Sequence, residues 1–200
     1  MKIDAVLYRI LRPVIKGLFM FLYRPNIIGK ENIPKKGAVV VCGNHTHNWD
    51  SPLLMCSTKR TIHFLAKDEL FKGIGKYFFS GMACIPVNRR QKDRNALESA
   101  IKVLEEDKLI GIFPEGTFNK TDDVIMPFKY GAVSMAYKTN STIVPFSITG
   151  KYKLFKKNSI TICFGKPYKI KTDDLTDANN ELMEKVKKLI IKNRKSDKHE

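Results

Sequence analysis

Along this chain, short apolar runs alternate with longer stretches in which apolar residues return every three or four positions. The runs at residues 38–42, 61–66, 83–87, 109–113, 142–148 and 159–164 have the length and composition of buried strands. Helical spacing fills residues 52–57, 69–79, 94–106 and 131–139, and again 178–193, where Leu182, Met183, Val186, Leu189 and Ile190 share one face. Strands alternating with helices predict an α/β fold: a mixed, mostly parallel sheet flanked by helices. The last two strands are joined around Gly150 and Lys151 with no helix between them, so an antiparallel pair is expected there. Residues 26–37, punctuated by Gly29, Pro34 and Gly37, read as a turn-rich connector.

Residues 4–23 follow a different pattern. Val6, Leu7, Ile10, Val14, Leu18 and Leu22 fall on one side of a helix and Arg9, Arg12 and Lys16 on another, with Pro13 expected to kink it. The apolar block at 18–23, closed by Arg24 and Pro25, is more than one face of a soluble helix needs. An apolar side flanked by cations suits an amphipathic, membrane-associating helix lying in a bilayer interface beside anionic lipid. Docking on the protein's own core is the other reading of the same pattern. No stretch approaches the roughly 18 uncharged apolar residues of a spanning helix. The cations at 9, 12 and 16 interrupt any leader-like run, and no small-residue cleavage site follows. The expected location is therefore the cytoplasmic face of the cell membrane, peripheral or monotopic.

At 200 residues the chain makes one domain, large enough to bury roughly 70% of its unfolded surface. Its 36 Lys and Arg against 20 Asp and Glu give a net charge of +16, which calls for an anionic partner: nucleic acid, lipid headgroups or a phosphorylated substrate. A basic nucleic-acid-binding protein without catalysis would explain the charge. However, no helix-turn-helix, zinc finger or RNA-binding signature is present and the cations are dispersed, so nucleic acid is not the expected partner. Cys42, Cys56, Cys84 and Cys163 form no C-x-x-C pair and read as reduced core residues.

The chemistry gathers where the run at 38–42 turns abruptly polar, at Asn44-His45-Thr46-His47-Asn48-Trp49-Asp50. The exits of strands are where α/β proteins place reacting groups. Pro52 suits the first helical position and Ser51 the cap before it, which leaves Asp50 without a capping duty. His45 and Asp50 then stand at opposite ends of one turn and can meet. A carboxylate on one imidazole nitrogen fixes the tautomer and leaves the other nitrogen to take a proton. A solvated His and Asp in a loop would share this pattern, and His45-x-His47 has the spacing of metallohydrolase ligands. Zinc wants three or four ligands, however, and the other histidines, His63 and His199, stand in an apolar run and in the tail, so no metal is expected. Two further strand exits carry candidate anion contacts. Residues 89–94 hold four cations in six positions, of which Arg89 is best placed for a phosphate, and Pro114-Glu115-Gly116-Thr117 follow the run at 109–113.

Asn44-His45 with Asp50, Gly81 with Ile85-Pro86-Val87 and Arg89, Phe113-Pro114-Glu115-Gly116-Thr117, and Val144-Pro145 resemble, in order and spacing, the four blocks of the glycerolipid acyltransferase family. Its bacterial 1-acylglycerol-3-phosphate acyltransferases are similar in size. The resemblance covers about residues 30–170 and implies a glycerol-3-phosphate acyltransferase-like fold. Together with the pattern at the two ends, the expected organisation is an interfacial helix at 1–25, an acyltransferase domain at 26–193 and a charged tail at 194–200. The resemblance makes His45 the general base and Asp50 its partner. It gives Arg89, Glu115, Gly116 and Thr117 to the acceptor and its phosphate, and Pro145 to the acyl-binding side. The implied reaction moves a fatty acyl group from acyl-CoA or acyl carrier protein to the hydroxyl of a lysophospholipid, a membrane lipid acceptor, with no cofactor. Two positions depart from the family pattern. Phe118 stands where Arg usually follows Glu-Gly-Thr, with Lys120 or Lys129 as replacements, and His47 stands where Ser is common. The first departure leaves room for a different lysolipid acceptor.

Overall fold

A computed structural model describes residues 5–88 and 93–196. Its centre is a seven-stranded sheet: β1 (Asn26–Ile28), β2 (Val39–Gly43), β3 (Ile62–Lys67), β4 (Ile85–Val87), β5 (Leu109–Ile112), β6 (Thr142–Gly150) and β7 (Ile160–Phe164), in the order β1-β7-β6-β2-β5-β3-β4. All neighbours are parallel except β6 and β7, which pair antiparallel as the missing crossover helix predicts. β2 lies in the middle, and each residue of Val39–Gly43 is buried because both faces of the sheet are covered.

The faces are divided by the two-residue period of the strands. Val39 and Val41 point to α1 (Val6–Tyr23), α2 (Asp50–Ser57) and α3 (Gly75–Gly81). Val40 and Cys42 point to α4 (Arg94–Glu105), α5 (Gly131–Lys138) and α6 (Leu175–Ser196). Each fully buried aliphatic side chain contributes about 1.5–3 kcal/mol. On α6, Ala178, Leu182, Val186 and Ile190 form the buried line.

Four local expectations are corrected. The connector at 26–37 contains strand β1, whose three residues take their ladder from β7, more than 130 positions away. Helix α2 begins at Asp50, so Ser51 is not its cap. The helix expected over 69–79 is a 3₁₀ turn, Asp68–Phe71, followed after Gly73 by α3. Helix α6 begins at Leu175 and continues to Ser196, beyond both ends of the expected 178–193.

Helix α1 runs on through Pro13 and is apolar on two sides, one docked on the core and one exposed. Tyr8, Phe19 and Tyr23 are buried, and Leu7, Leu11, Ile15 and Leu22 pack on the core beneath them. Val6, Ile10, Val14, Leu18 and Phe21 form a second apolar line, each 54–65% exposed. Leu7 and Leu22 thus belong to the docked side, not to the exposed line. Among the described residues, no helix is long and apolar enough to cross a membrane.

Candidate active site

The parallel register of β2, β4, β5 and β6 brings the loops that follow these strands to one end of the sheet. Gly43 closes β2 opposite Phe146, and a Cβ there would lie 2.3 Å from the Phe146 carbonyl oxygen. The missing side chain lets Phe146 fold over the strand end, where its ring meets Phe113 edge-on at 5.9 Å. Phe113 in turn stacks on the His45 imidazole, 4.0 Å between centroids and 13° from parallel. Asn44 fixes the chain one residue earlier. Its amide Nδ2 donates to the Ile148 carbonyl (2.9 Å), and its Oδ1 accepts from the Ile148 amide (2.7 Å), both buried.

His45 is 8% exposed and held on every side. Its main-chain amide donates to Glu115 Oε1 at 2.8 Å, and its carbonyl accepts from the Asn119 amide at 2.9 Å. Nδ1 lies 2.9 Å from Asp50 Oδ2. Asp50 is completely buried. Its Oδ2 also accepts from the amides of Thr46 (2.6 Å) and His47 (2.8 Å), and its Oδ1 accepts from the Tyr152 hydroxyl (2.6 Å). Donors crowd both oxygens, which suits an ionised carboxylate; such a group can only accept, so Nδ1 carries the hydrogen and Nε2 keeps the lone pair. Asp50 does not cap the helix, as expected; its carboxylate ties down the amides of the preceding turn as well as orienting the imidazole. Burial and the neighbouring Asp50 charge push the Tyr152 phenol well above its usual range, so it stays a donor.

Glu115 was expected to touch the acceptor. The structure gives it other work: it is 4% exposed, with Oε1 on the His45 amide and Oε2 on the Met126 amide at 2.9 Å. Burial raises its carboxyl above the ordinary range, while the two amides act in the opposite sense. Gly116 follows with φ +74°, a left-handed turn that favours glycine. The Lys129 side chain lies over this turn, 3.0 Å from where a Cβ would stand. Thr117 is exposed, and Phe118 meets the His45 ring at 4.4 Å and 61°. Pro145 is buried within β6, opposite Cys42 of β2. Arg89 lies outside the described residues, two positions beyond the end of β4.

His47 Nδ1 accepts from the Trp49 amide at 3.2 Å, and its ring lies 5.1 Å from Tyr152. Among the described residues, no group of three or more His, Cys, Asp or Glu side chains could hold a metal ion. All four cysteines are free and buried. Desolvation pushes the Cys56 thiol up to about 11 and Cys84 up to about 12, and raises Cys42 and Cys163 as well, so none offers a ready thiolate. Sequence reasoning missed Tyr152 because it comes from beyond β6, 102 positions from Asp50, and no motif includes it. Only asking what satisfies the second oxygen of a buried aspartate would have led to it.

A sheet of this topology with a His–Asp pair at the exit of its central strand defines a class, and the acyltransferase family model matches residues 24–149: the chain belongs to the acyltransferase family. Among curated proteins it is similar to the 1-acyl-sn-glycerol-3-phosphate acyltransferase of Borreliella burgdorferi, 40% identical over 116 residues, covering 56% of this chain and 46% of that protein. It is also similar to the enzyme of the same name from Bacillus subtilis, 34% identical over 113 residues and 55% of each. The chain thus spans about half the length of the curated relatives it matches. A solved structure, the 1-acyl-sn-glycerophosphate (LPA) acyltransferase PlsC from Thermotoga maritima, superposes with a TM-score of 0.73 at 25% identity, covering 97% of this chain and 84% of that one.

Proposed function

We propose that this protein transfers a fatty acyl group from a thioester donor, acyl-CoA or acyl carrier protein, to the free hydroxyl of 1-acylglycerol-3-phosphate, giving phosphatidic acid. The observation that carries this reading is the His45 imidazole, with Nδ1 bound to a fully buried carboxylate and Nε2 left as a base. As the acceptor oxygen attacks the thioester carbonyl, Nε2 takes its proton. The carbon–sulfur bond then breaks, and the imidazolium returns the proton to the leaving thiolate. Asp50 stabilises the transient cation, and base assistance of this kind is worth about 10²- to 10⁴-fold. With every cysteine buried and raised, direct transfer is favoured over an acyl-enzyme.

Lys129, whose side chain lies over the Gly116 turn, takes the place of the family's usual Arg, and Arg89 is the second cation for the phosphate. The lipid acceptor arrives from an anionic membrane surface on the cytoplasmic side, met by the exposed apolar line of α1. Phe21 of that line touches Phe155 at 5.9 Å, and Leu154 and Phe155 extend the apolar surface beyond the helix. One observation favours a second reading. Phe118 sets an apolar ring against His45 where the family usually carries a cation, which would suit a lysolipid acceptor with its phosphate held elsewhere or masked.

An acceptor panel with one labelled acyl donor tests both readings. Transfer to 1-acylglycerol-3-phosphate, with a raised acceptor KM in Arg89→Ala and Lys129→Ala, is the expected result. Preference for a phosphodiester lysolipid selects the second reading, and no transfer to any hydroxyl acceptor overturns both.

A further inference from the structure

The Asp50 carboxylate is anchored unevenly. Oδ2 receives the His45 imidazole and two main-chain amides, all from within five residues of chain. Among the described residues, Oδ1 receives only the Tyr152 hydroxyl at 2.6 Å and a long contact from the Thr46 hydroxyl at 3.3 Å. The terminal torsion of an aspartate is broad and close to two-fold, so a carboxylate pinned at one oxygen can swing about it. Tyr152 supplies the short bond that stops this swing. Its own ring is held by α1, edge-on to Tyr23 at 5.6 Å and to Phe19 at 6.2 Å. Trp49, the residue before Asp50, meets the same two rings at 6.0 and 6.3 Å. The helix whose other side is an exposed apolar line therefore grips the catalytic turn through two aromatic residues.

We propose that Tyr152 is a positioning residue: it locks the Asp50 carboxylate in the orientation His45 needs, and it ties that orientation to the seating of α1. The proposal rests on the reading of His45 and Asp50 as base and partner. It adds a residue that belongs to none of the four motif blocks, and a route by which docking of α1 on lipid reaches the reacting imidazole. The direction of the effect follows from charge. A donated hydrogen bond disperses the negative charge on Asp50, so removing it concentrates that charge and favours the imidazolium. Among the described residues, the titratable groups around the pair are Glu115 from the β5 loop, Lys129 over the adjoining Gly116 turn, Tyr152 from beyond β6, Tyr23 from α1 and His47 from the same turn. Of these, Tyr152 is the one whose hydroxyl meets the Asp50 carboxylate.

Tyr152→Phe keeps the ring and deletes the bond. The expected result is a fall in kcat of about tenfold with little change in either KM, and an acid limb of the kcat/KM profile moved to higher pH. The downfield imidazole N–H proton signal, assigned to His45 by its loss in His45→Ala, should shift in the same variant without any substrate. Tyr23→Leu, which leaves the polar network intact, should reproduce part of the kcat loss and part of the signal shift. An unmoved acid limb and an unmoved signal in Tyr152→Phe would overturn the positioning role. A Tyr23→Leu protein indistinguishable from wild type in both readouts would overturn the link to α1. Because the N–H signal is read without turnover, a protein that shows the shift yet transfers no acyl group would reject the proposed function and leave the positioning role standing.

Discussion

Two buried histidines stand at opposite ends of the sheet, His45 at the exit of β2 and His63 near the entry of β3, one strand apart across β5. Exposure does not separate them, at 8% for the first and 2% for the second. Their neighbours do. His45 has a buried carboxylate on Nδ1, aromatic rings on two sides and its main chain bonded at both ends. His63 has Lys108 nearby and an Nδ1 with no hydrogen-bond partner among the described residues, and burial together with that cation pushes its pKa down to about 4. In the proposed reaction the first imidazole takes up a proton for a moment; burial and a neighbouring cation disfavour the protonated form of the second. A histidine in an apolar strand is thus a packing residue unless the fold delivers a carboxylate to it.

The largest test of this contrast is removal of each ring in turn. His45→Ala should lower acyl transfer by about 10²- to 10⁴-fold while the far-ultraviolet circular dichroism spectrum stays that of the wild type. His63→Leu, at the far end of the sheet and sharing no partner with the dyad, should leave kcat within about a factor of two. Equal losses in the two variants would mean that the distinction between the ends is not catalytic.

The next test is read in stability against pH. A base whose pKa is depressed in the folded state stabilises the protein above its ordinary value, and that stability is lost as pH falls toward the folded value. For His63 the window runs from 6.5 down to about 4. At 1.36 kcal/mol per pH unit the effect is on the order of 3 kcal/mol at most. His63→Leu should therefore lose less stability than wild type across that window, as measured by urea unfolding at successive pH values. Its offset at pH 7 is set by the lost bond to the Ala83 main chain, so the slope is the quantity to compare. Parallel curves for the two proteins would show that His63 is not held neutral.

The same contrast explains what could be read from the chain alone. His45 and Asp50 are five residues apart in one turn, so their meeting is a local event that strand-exit and helix-start patterns reveal. The central strands were legible because both faces are buried and their apolar runs are unbroken. Strand β1 was not, since three residues beside a glycine become a strand only when β7 arrives to pair with them. Helix α1 gave an ambiguous pattern because it is apolar on two sides, one for the core and one exposed. The supports of the dyad were hidden for the reason that hid β1. Glu115 and Tyr152 reach it from 70 and 102 residues away, and sequence spacing says nothing about which carboxylate will face a substrate and which a main-chain amide.

Glu115 offers the finest test, because it is the acid at the His45 end of the sheet that resembles His63 in being buried against its charge. Desolvation raises its carboxyl, so the stability it contributes is greatest in the protonated form and falls as pH rises through its folded value. Glu115→Gln removes the cost of the buried charge but offers one carbonyl oxygen where two were used, leaving either the His45 or the Met126 amide facing an NH₂ group. A neutral amide that recovers the desolvation cost and loses one acceptor should change stability by only about 1 kcal/mol in either direction. Activity is less forgiving on the proposed reading, since the His45 amide makes one of the main-chain bonds that fix His45 at the strand exit. The expected outcome is a kcat lowered by about tenfold with a nearly unchanged unfolding midpoint. A rise in acceptor KM alone, with kcat preserved, would instead place Glu115 against the substrate and remove it from the set of groups that hold His45.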